Sequence, residues 1–190
     1  MKTKIVVASS NAGKIAEIRE ILSNYDVVSA AEVGFNDEIA ETGQTFLENA
    51  LIKAWTVCKA TGLAALGDDS GLCVDALNGA PGIFSARYSG QGVVANRKLL
   101  LKNLSGQNNR KAYFNCAVAL VFPDGCEYTA EGQTYGAITT EEQGTSGFGY
   151  DSLFYSDDLG KTFAMATADE KNAASHRGRA LRKLLQILPN

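Results

Sequence analysis

Short apolar runs alternate along the chain with stretches of helical period, and small polar turns separate them. Lys4-Ile5-Val6-Val7-Ala8 reads as a buried strand. Ser9 to Lys14 follow as a polar turn, and Ile15, Ile18, Ile21 and Leu22 then recur at helical spacing, so the turn opens a helix. Val27-Val28 predicts a second strand, and Glu41-Thr42-Gly43 a turn before a second helix. Leu47, Ala50, Leu51, Ala54 and Cys58 supply the apolar face of that helix, and Thr45-Phe46-Leu47-Glu48 has the form of a capping box. Leu63 to Asp68 predicts another buried strand, ending in Asp68-Asp69-Ser70-Gly71, and Leu72 to Leu77 a further one. Side chains alternate along a strand, so the two adjacent acids point the same way only if the chain turns there.

The second half continues the mixture. Val94 to Leu104 reads as a helix with Leu100, Leu101 and Leu104 inward. Tyr113 to Phe122 is a long β run, Pro123-Asp124-Gly125 a turn and Glu127 to Ile138 a return strand. A glycine-rich loop, Gly144 to Gly149, precedes Tyr150 to Phe154, and Thr167-Ala168-Asp169-Glu170 offers a second capping box. An amphipathic helix from about Ser175 to Leu188 is stopped by Pro189. No repeat or linker interrupts this order, so residues 1–190 are expected to form a single α/β domain with a mixed sheet.

A length of 190 residues suffices for a substantial core, and a formal charge of −3 argues against broad, sequence-independent nucleic-acid binding. Cys58, Cys73, Cys116 and Cys126 show no metal-ligand spacing and His176 is the only histidine, so a Cys/His zinc site is not expected. All four cysteines sit in apolar surroundings and are expected to be reduced core thiols. No run is long enough to cross a bilayer, and Met1-Lys2-Thr3-Lys4 leads into a strand rather than a signal-peptide core. The expectation is a soluble, cytoplasmic protein.

Four segments carry candidate chemistry, and each has a plainer alternative. Ser9-Ser10-Asn11 before a helix, with Lys14 in its first turn, is either an anion site or an ordinary capped start. A cation at a helix N-terminus opposes the dipole unless an anion accompanies it. If Glu41 approaches Asp69, the two carboxylates could hold Mg²⁺ with Lys53 facing the same anion; otherwise they are a solvated acid and a snorkelling lysine. Phe148 is either a base-stacking platform, with Asp151 accepting from a ring N–H, or a plug beneath its loop. Lys171, His176 and Arg177 offer donors for an oxo group on a base edge, while Arg179 to Lys183 read as a solvated basic face.

Together these segments resemble the inosine-triphosphate pyrophosphatase family, which removes non-standard purine nucleotides. The likeness runs through Ala8-Ser9-Ser10-Asn11-Ala12-Gly13-Lys14, Glu41 to Ala50, Asp68 to Leu72, Gly79 to Tyr88, Gly147 to Asp151, and Glu170-Lys171-Asn172 with Ser175-His176-Arg177-Gly178. It departs at Ser9-Ser10, where the family commonly has Thr-Gly, at Ala40, where many members have a second acid, and at Ser152, where a proline is frequent. The resemblance implies an elongated central sheet flanked by helices, in two lobes with a nucleotide cleft between them. It implies hydrolysis of ITP, dITP and XTP to the monophosphate and pyrophosphate, with Mg²⁺ on Glu41 and Asp69 and Asp69 as general base. Ser9, Ser10, Asn11, Ala12, Gly13, Lys14, Lys53 and Ser70 would hold the triphosphate. Phe148, Gly149, Tyr150, Asp151, Lys171, His176 and Arg177 would hold the base, with Asp68 in support. A homodimer is implied, with neither nucleic acid nor membrane as partner. The rival readings are a Maf-like nucleotide pyrophosphatase, whose serine-arginine-rich early loop is missing here, and a nucleotide sensor that has lost catalysis.

Overall fold

The computed structural model describes residues 2–189. Seven strands form one mixed sheet in the order β2-β1-β3-β4-β5-β6-β7. They are β1 (Lys4–Val7), β2 (Asp26–Ser29), β3 (Ala65–Val74), β4 (Lys111–Val121), β5 (Glu127–Ile138), β6 (Phe154–Ser156) and β7 (Lys161–Thr162). The helices are α1 (Ala12–Ile21), α2 (Phe46–Thr61), α3 (Val93–Asn103), α4 (Ala168–Ala174) and α5 (His176–Ile187). β1 runs parallel to β2 and β3, while β5–β6 and β6–β7 are antiparallel.

The chain divides into two compact units: residues 1–69, 116–132 and 177–190 in the first, 70–115 and 133–176 in the second. In the first unit, strand alternation sorts side chains into two cores. Ile5 and Val7 of β1, Leu66 of β3 and Cys116, Val118 and Leu120 of β4 pack with Ile15 and Ile18 of α1 and Leu181 and Leu184 of α5. Val6, Ala65, Ala117, Ala119 and Val121 point the other way and pack with Ala50, Ala54, Val57 and Cys58 of α2. The period-two pattern of a strand buried on both faces thus decides which helix each residue meets. The second unit has one core, in which Leu72 and Val74, Leu100 and Leu104, and Phe114, Phe154 and Phe163 pack together.

Two expectations change. The acids do not end a strand: β3 runs unbroken from Ala65 to Val74, and Asp75–Leu77 form a short 3-10 turn instead of extending a second strand. Pairing with neighbouring strands outweighs the turn preference of Gly-Asp-Asp-Ser-Gly. Cys126 is exposed in the β4–β5 turn, unlike the buried Cys58, Cys73 and Cys116. No described helix is long and apolar enough to cross a membrane.

Candidate active site

Because β3 stays extended, Asp68 and Asp69 face opposite sides of the sheet, and each meets a different helix. Asp68 shares the side of Leu66 and meets α1 and α5. Lys14 Nζ lies 2.6 Å from its Oδ1, Arg177 Nε donates to Oδ2 at 2.7 Å and Arg177 Nη2 to Oδ1 at 3.3 Å. The Cys116 thiol donates to Oδ2 at 3.1 Å, and Arg177 Nη1 also bonds Glu17. Two acids and two bases balance in charge, and Asp68 and Arg177 are fully buried. Burial opposes ionisation of Asp68, but Arg177 and Lys14 outweigh it and hold its carboxyl well below the usual range. The same burial, with Asp68 adjacent, pushes the Cys116 thiol well up.

Lys14 thus pairs with Asp68 at the start of α1. Asn11 caps α1 by accepting from Lys14 N at 3.1 Å, and Ser9 Oγ accepts from Asn11 N at 3.1 Å. The first intrahelical bond runs from Ile15 N to Asn11 O, so the N–H groups of Ala12 and Gly13 open the helix without an intrahelical acceptor. Ser10 is exposed beside them. These donors form the cradle that a helix start offers to phosphate.

Asp69 shares the side of Ala65 and Gly67 and meets α2. An ideal Cβ on Gly67 would lie 1.9 Å from the Ala50 carbonyl oxygen, so only glycine lets α2 settle this close to β3. That contact brings Asn49 and Lys53, one turn apart on α2, against the Asp69 carboxylate. Lys53 Nζ donates to Asp69 Oδ1 at 3.2 Å and to Glu41 Oε1 at 2.8 Å. Asn49 Nδ2 donates to Asp69 Oδ2 at 3.2 Å. Burial raises the Asp69 carboxyl above its ordinary value; Lys53 and Lys14 pull the other way, and Glu41 adds to the rise. For Lys53, burial favours the neutral amine, but Asp69 and Glu41 more than offset it and keep the group charged. Lys53 is therefore a buried, doubly paired cation, not a snorkelling one.

Glu41 and Asp69 thus aim at one cationic centre. A pair of hard carboxylates suits Mg²⁺, which takes one or two protein carboxylates and completes its shell with phosphate oxygens and water. No cluster of three His, Cys, Asp or Glu ligands occurs among the described residues.

The expected base-binding residues lie mainly in the second unit. Asp151 is buried, and its Oδ2 accepts from Phe148 N at 2.8 Å and from Lys171 Nζ at 2.6 Å. A Cβ on Gly147 would meet that oxygen at 2.2 Å, so the loop closes over the carboxylate only with glycine there. Lys171 Nζ also lies 4.4 Å from the Phe148 ring centroid, which fixes a half-buried aromatic face by charge as well as by loop geometry. His176 stacks on Phe114 at 4.6 Å and 12°. Gly149 O accepts from Arg97 Nη1 at 3.1 Å, and Ser70 is half-buried in β3.

Two expected base contacts are placed elsewhere. Tyr150 turns into the core and donates its hydroxyl to Ser85 O at 2.9 Å, because its ring packs with the Leu72–Phe163 cluster. Arg177 directs its three guanidinium nitrogens at Asp68 and Glu17 and not at a base edge, since two buried carboxylates attract it more strongly than a neutral ring oxygen would. No role for Glu17, Asn49 or Gly67 follows from the sequence patterns above, and Cys116 is expected there only as a reduced core thiol. The Gly-Asp-Asp run in a buried strand could have pointed to Gly67, because a glycine inside a strand often marks a close backbone approach.

The Ham1 family profile matches residues 5–187. The dITP/XTP pyrophosphatase of Streptomyces coelicolor is 47% identical over 194 residues, covering 98% of this chain and 97% of its own. That of Bacillus subtilis is 47% identical over 189 residues, covering 96% of each. Among solved structures, the Staphylococcus aureus Ham1 protein superposes with a TM-score of 0.86 at 39% identity, covering 97% of each chain. A nucleoside-triphosphatase (dITP/XTP pyrophosphatase) from Mycobacterium abscessus gives a TM-score of 0.76 at 47% identity, covering 97% of this chain and all of that one.

Proposed function

Because the chain belongs to the Ham1 family, we propose that it hydrolyses non-standard purine nucleoside triphosphates (dITP, ITP and XTP) to the monophosphate and pyrophosphate. This removes them from the nucleotide pool before incorporation. The observation that carries the reading is the convergence of Glu41 and Asp69 on Lys53, beside a helix start bearing Lys14.

In this mechanism the Ala12 and Gly13 N–H groups, Ser9, Ser10, Lys14 and Lys53 hold the triphosphate. Ser70 lies next to Asp69 in sequence and adds a hydroxyl. Glu41 and Asp69 would hold Mg²⁺, which supplies charge neutralisation on the phosphate oxygens. Asp69 takes a proton from water as the water oxygen bonds to the α-phosphorus. The α–β bridging bond breaks, and pyrophosphate carries away the electron pair. Phe148 stacks on the purine, while Lys171 and Asp151 hold the platform in place and Gly149 lines it. His176 donates to the C6 oxygen of hypoxanthine or xanthine. Adenine carries an amino group there and would leave the donor unpaired, a penalty of about 1–3 kcal/mol.

The same reading includes a homodimer and a cytoplasmic site of action. The family resemblance supports the first, and four free thiols the second. Light scattering would give twice the 20.2 kDa chain mass for the dimer. The central test is pyrophosphate release from ITP, dITP, XTP, GTP and ATP, with Mg²⁺ and with chelator. Release from the first three that is fast, metal-dependent and much faster than from ATP is expected; equal rates with ATP would refute the reading. Asp69→Asn should lower kcat by about 100- to 10,000-fold.

A further inference from the structure

Asn49 is fully buried, and both ends of its amide are engaged at the candidate site. Its Oδ1 accepts from Gly43 N at 2.8 Å and its Nδ2 donates to Asp69 Oδ2 at 3.2 Å. The orientation follows from chemistry, since the Gly43 N–H can only donate and the amide oxygen must face it. Gly43 lies two residues after Glu41, so the side chain ties the loop carrying one acid to the strand carrying the other. The fit is tight: a Cβ on Gly43 would meet Asn49 Oδ1 at 2.8 Å and Glu48 Cβ at 2.7 Å. Glu48 holds the same turn from the other side, its Oε2 accepting from Gln44 N at 2.6 Å. Thr45 Oγ1 caps α2 through Glu48 N at 3.1 Å, which leaves the expected box half formed, with Glu48 bonding Gln44 N in place of Thr45 N.

Lys53 bridges Glu41 and Asp69 by charge, but a lysine that also grips phosphate must be able to move. Asn49 faces neither problem: it is neutral, short and locked at both ends. It also takes Asp69 Oδ2, leaving Oδ1 as the oxygen on the Lys53 and Glu41 side. We propose that Asn49 is a positioning residue, a strut that holds Glu41 and Asp69 at the separation a shared divalent cation requires and selects which oxygen of Asp69 faces it. This role rests on the proposed metal-dependent hydrolysis and adds a determinant of metal affinity within α2.

The test compares wild type with Asn49→Ala and Gly43→Ala, all checked by thermal melting. In Asn49→Ala the Mg²⁺ concentration for half-maximal dITP turnover should rise about 10- to 100-fold, as loss of a partner behind a metal ligand typically does. Mn²⁺ binding to nucleotide-free protein, followed by electron paramagnetic resonance, should weaken by a similar factor. Hydrogen exchange of the Gly43 N–H should lose its protection in metal-free Asn49→Ala. Gly43→Ala, whose added Cβ crowds Asn49 Oδ1, should act in the same direction. If Asn49→Ala does not fold, Gly43→Ala carries the test: weakened Mn²⁺ binding supports the strut, and unchanged binding overturns it. Wild type that turns over dITP while Asn49→Ala keeps its metal dependence within twofold would refute the strut alone. Wild type that leaves dITP intact would refute the hydrolase reading, and the Mn²⁺ and exchange measurements would still decide whether Asn49 joins the two acids.

Discussion

Arg177→Met removes one charge from the balanced cluster on the α1 and α5 side of the sheet while keeping most of the side-chain volume. Asp68 loses donors at 2.7 and 3.3 Å, and Glu17 loses its bond to Nη1, so two acids face Lys14 without the guanidinium. Removing one partner from a buried ion pair costs about 3–5 kcal/mol, because the other charge stays buried and poorly compensated. For a chain of this length each kcal/mol lowers Tm by about 2–4 °C, so a fall of about 6–20 °C is expected by calorimetry. The pH dependence gives a second readout. Burial works against ionisation of Asp68, yet Arg177 and Lys14 hold its native carboxyl well below the usual range. The stability this supplies is complete above the unfolded value, near 3.9, and is lost as pH falls through the lower native one. In Arg177→Met the native value moves back toward the ordinary one, so the rise of unfolding free energy with pH below about pH 4 should flatten. A Tm within about 2 °C of wild type, or an unchanged acid limb, would show that the cluster does not carry this energy.

Gly67→Ala places a methyl 1.9 Å from the Ala50 carbonyl oxygen and must push α2 away from β3. Urea unfolding should register a loss of about 1–3 kcal/mol, and displacement of Lys53 and Asn49 from Asp69 should cut kcat by about 100-fold. Phe148→Ala removes the half-buried ring held by Lys171; a stacking loss of about 1–3 kcal/mol corresponds to a KM for ITP raised about 5- to 150-fold, with Tm little changed. Ellman's reagent should titrate one thiol rapidly in the native protein, Cys126, and all four in denaturant; rapid reaction of Cys116 would contradict its burial beside Asp68.

Signals confined to a few residues were legible in the sequence. The capping box at Thr167 forms with both of its bonds, and the return strand occupies Glu127–Ile138 as its alternation predicts. The apolar face of α2 packs as its spacing demands, because burial of that face is what stabilises the helix. Long-range features left no local trace. Asp68 and Arg177 meet across 109 residues of sequence, and nothing near either one names the other. β6 and β7 are three and two residues long, too short for an alternation to register. The approach of the acids at 41 and 69 has no local signal either: only the family resemblance put them together, and the close packing of α2 on β3 that Gly67 permits brings Lys53 between them.

The continuity of β3 also explains how two adjacent aspartates come to do different work. A turn at that point could have brought both acids into one site, where their charges would repel and raise each other's pKa. An extended strand instead sends Asp68 toward Lys14 and Arg177 and Asp69 toward Asn49 and Lys53, and their carboxyls shift in opposite directions. Asp68 is locked in the ionised form by the fully buried Arg177 and by Lys14, so its contribution is to folding and to anchoring Lys14. Asp69 is raised and pairs with Lys53 on the side that Glu41 shares, so on the proposed mechanism its contribution is to turnover. The two isosteric substitutions should therefore separate. Asp68→Asn should lower Tm by more than Asp69→Asn does and flatten the acid limb of stability, because Arg177 and Lys14 lose the carboxylate between them. Asp69→Asn should leave that acid limb in place and abolish nearly all pyrophosphate release. Parallel losses of stability and turnover in both variants would mean that the acids act as one group, and the division of labour by strand alternation would be wrong.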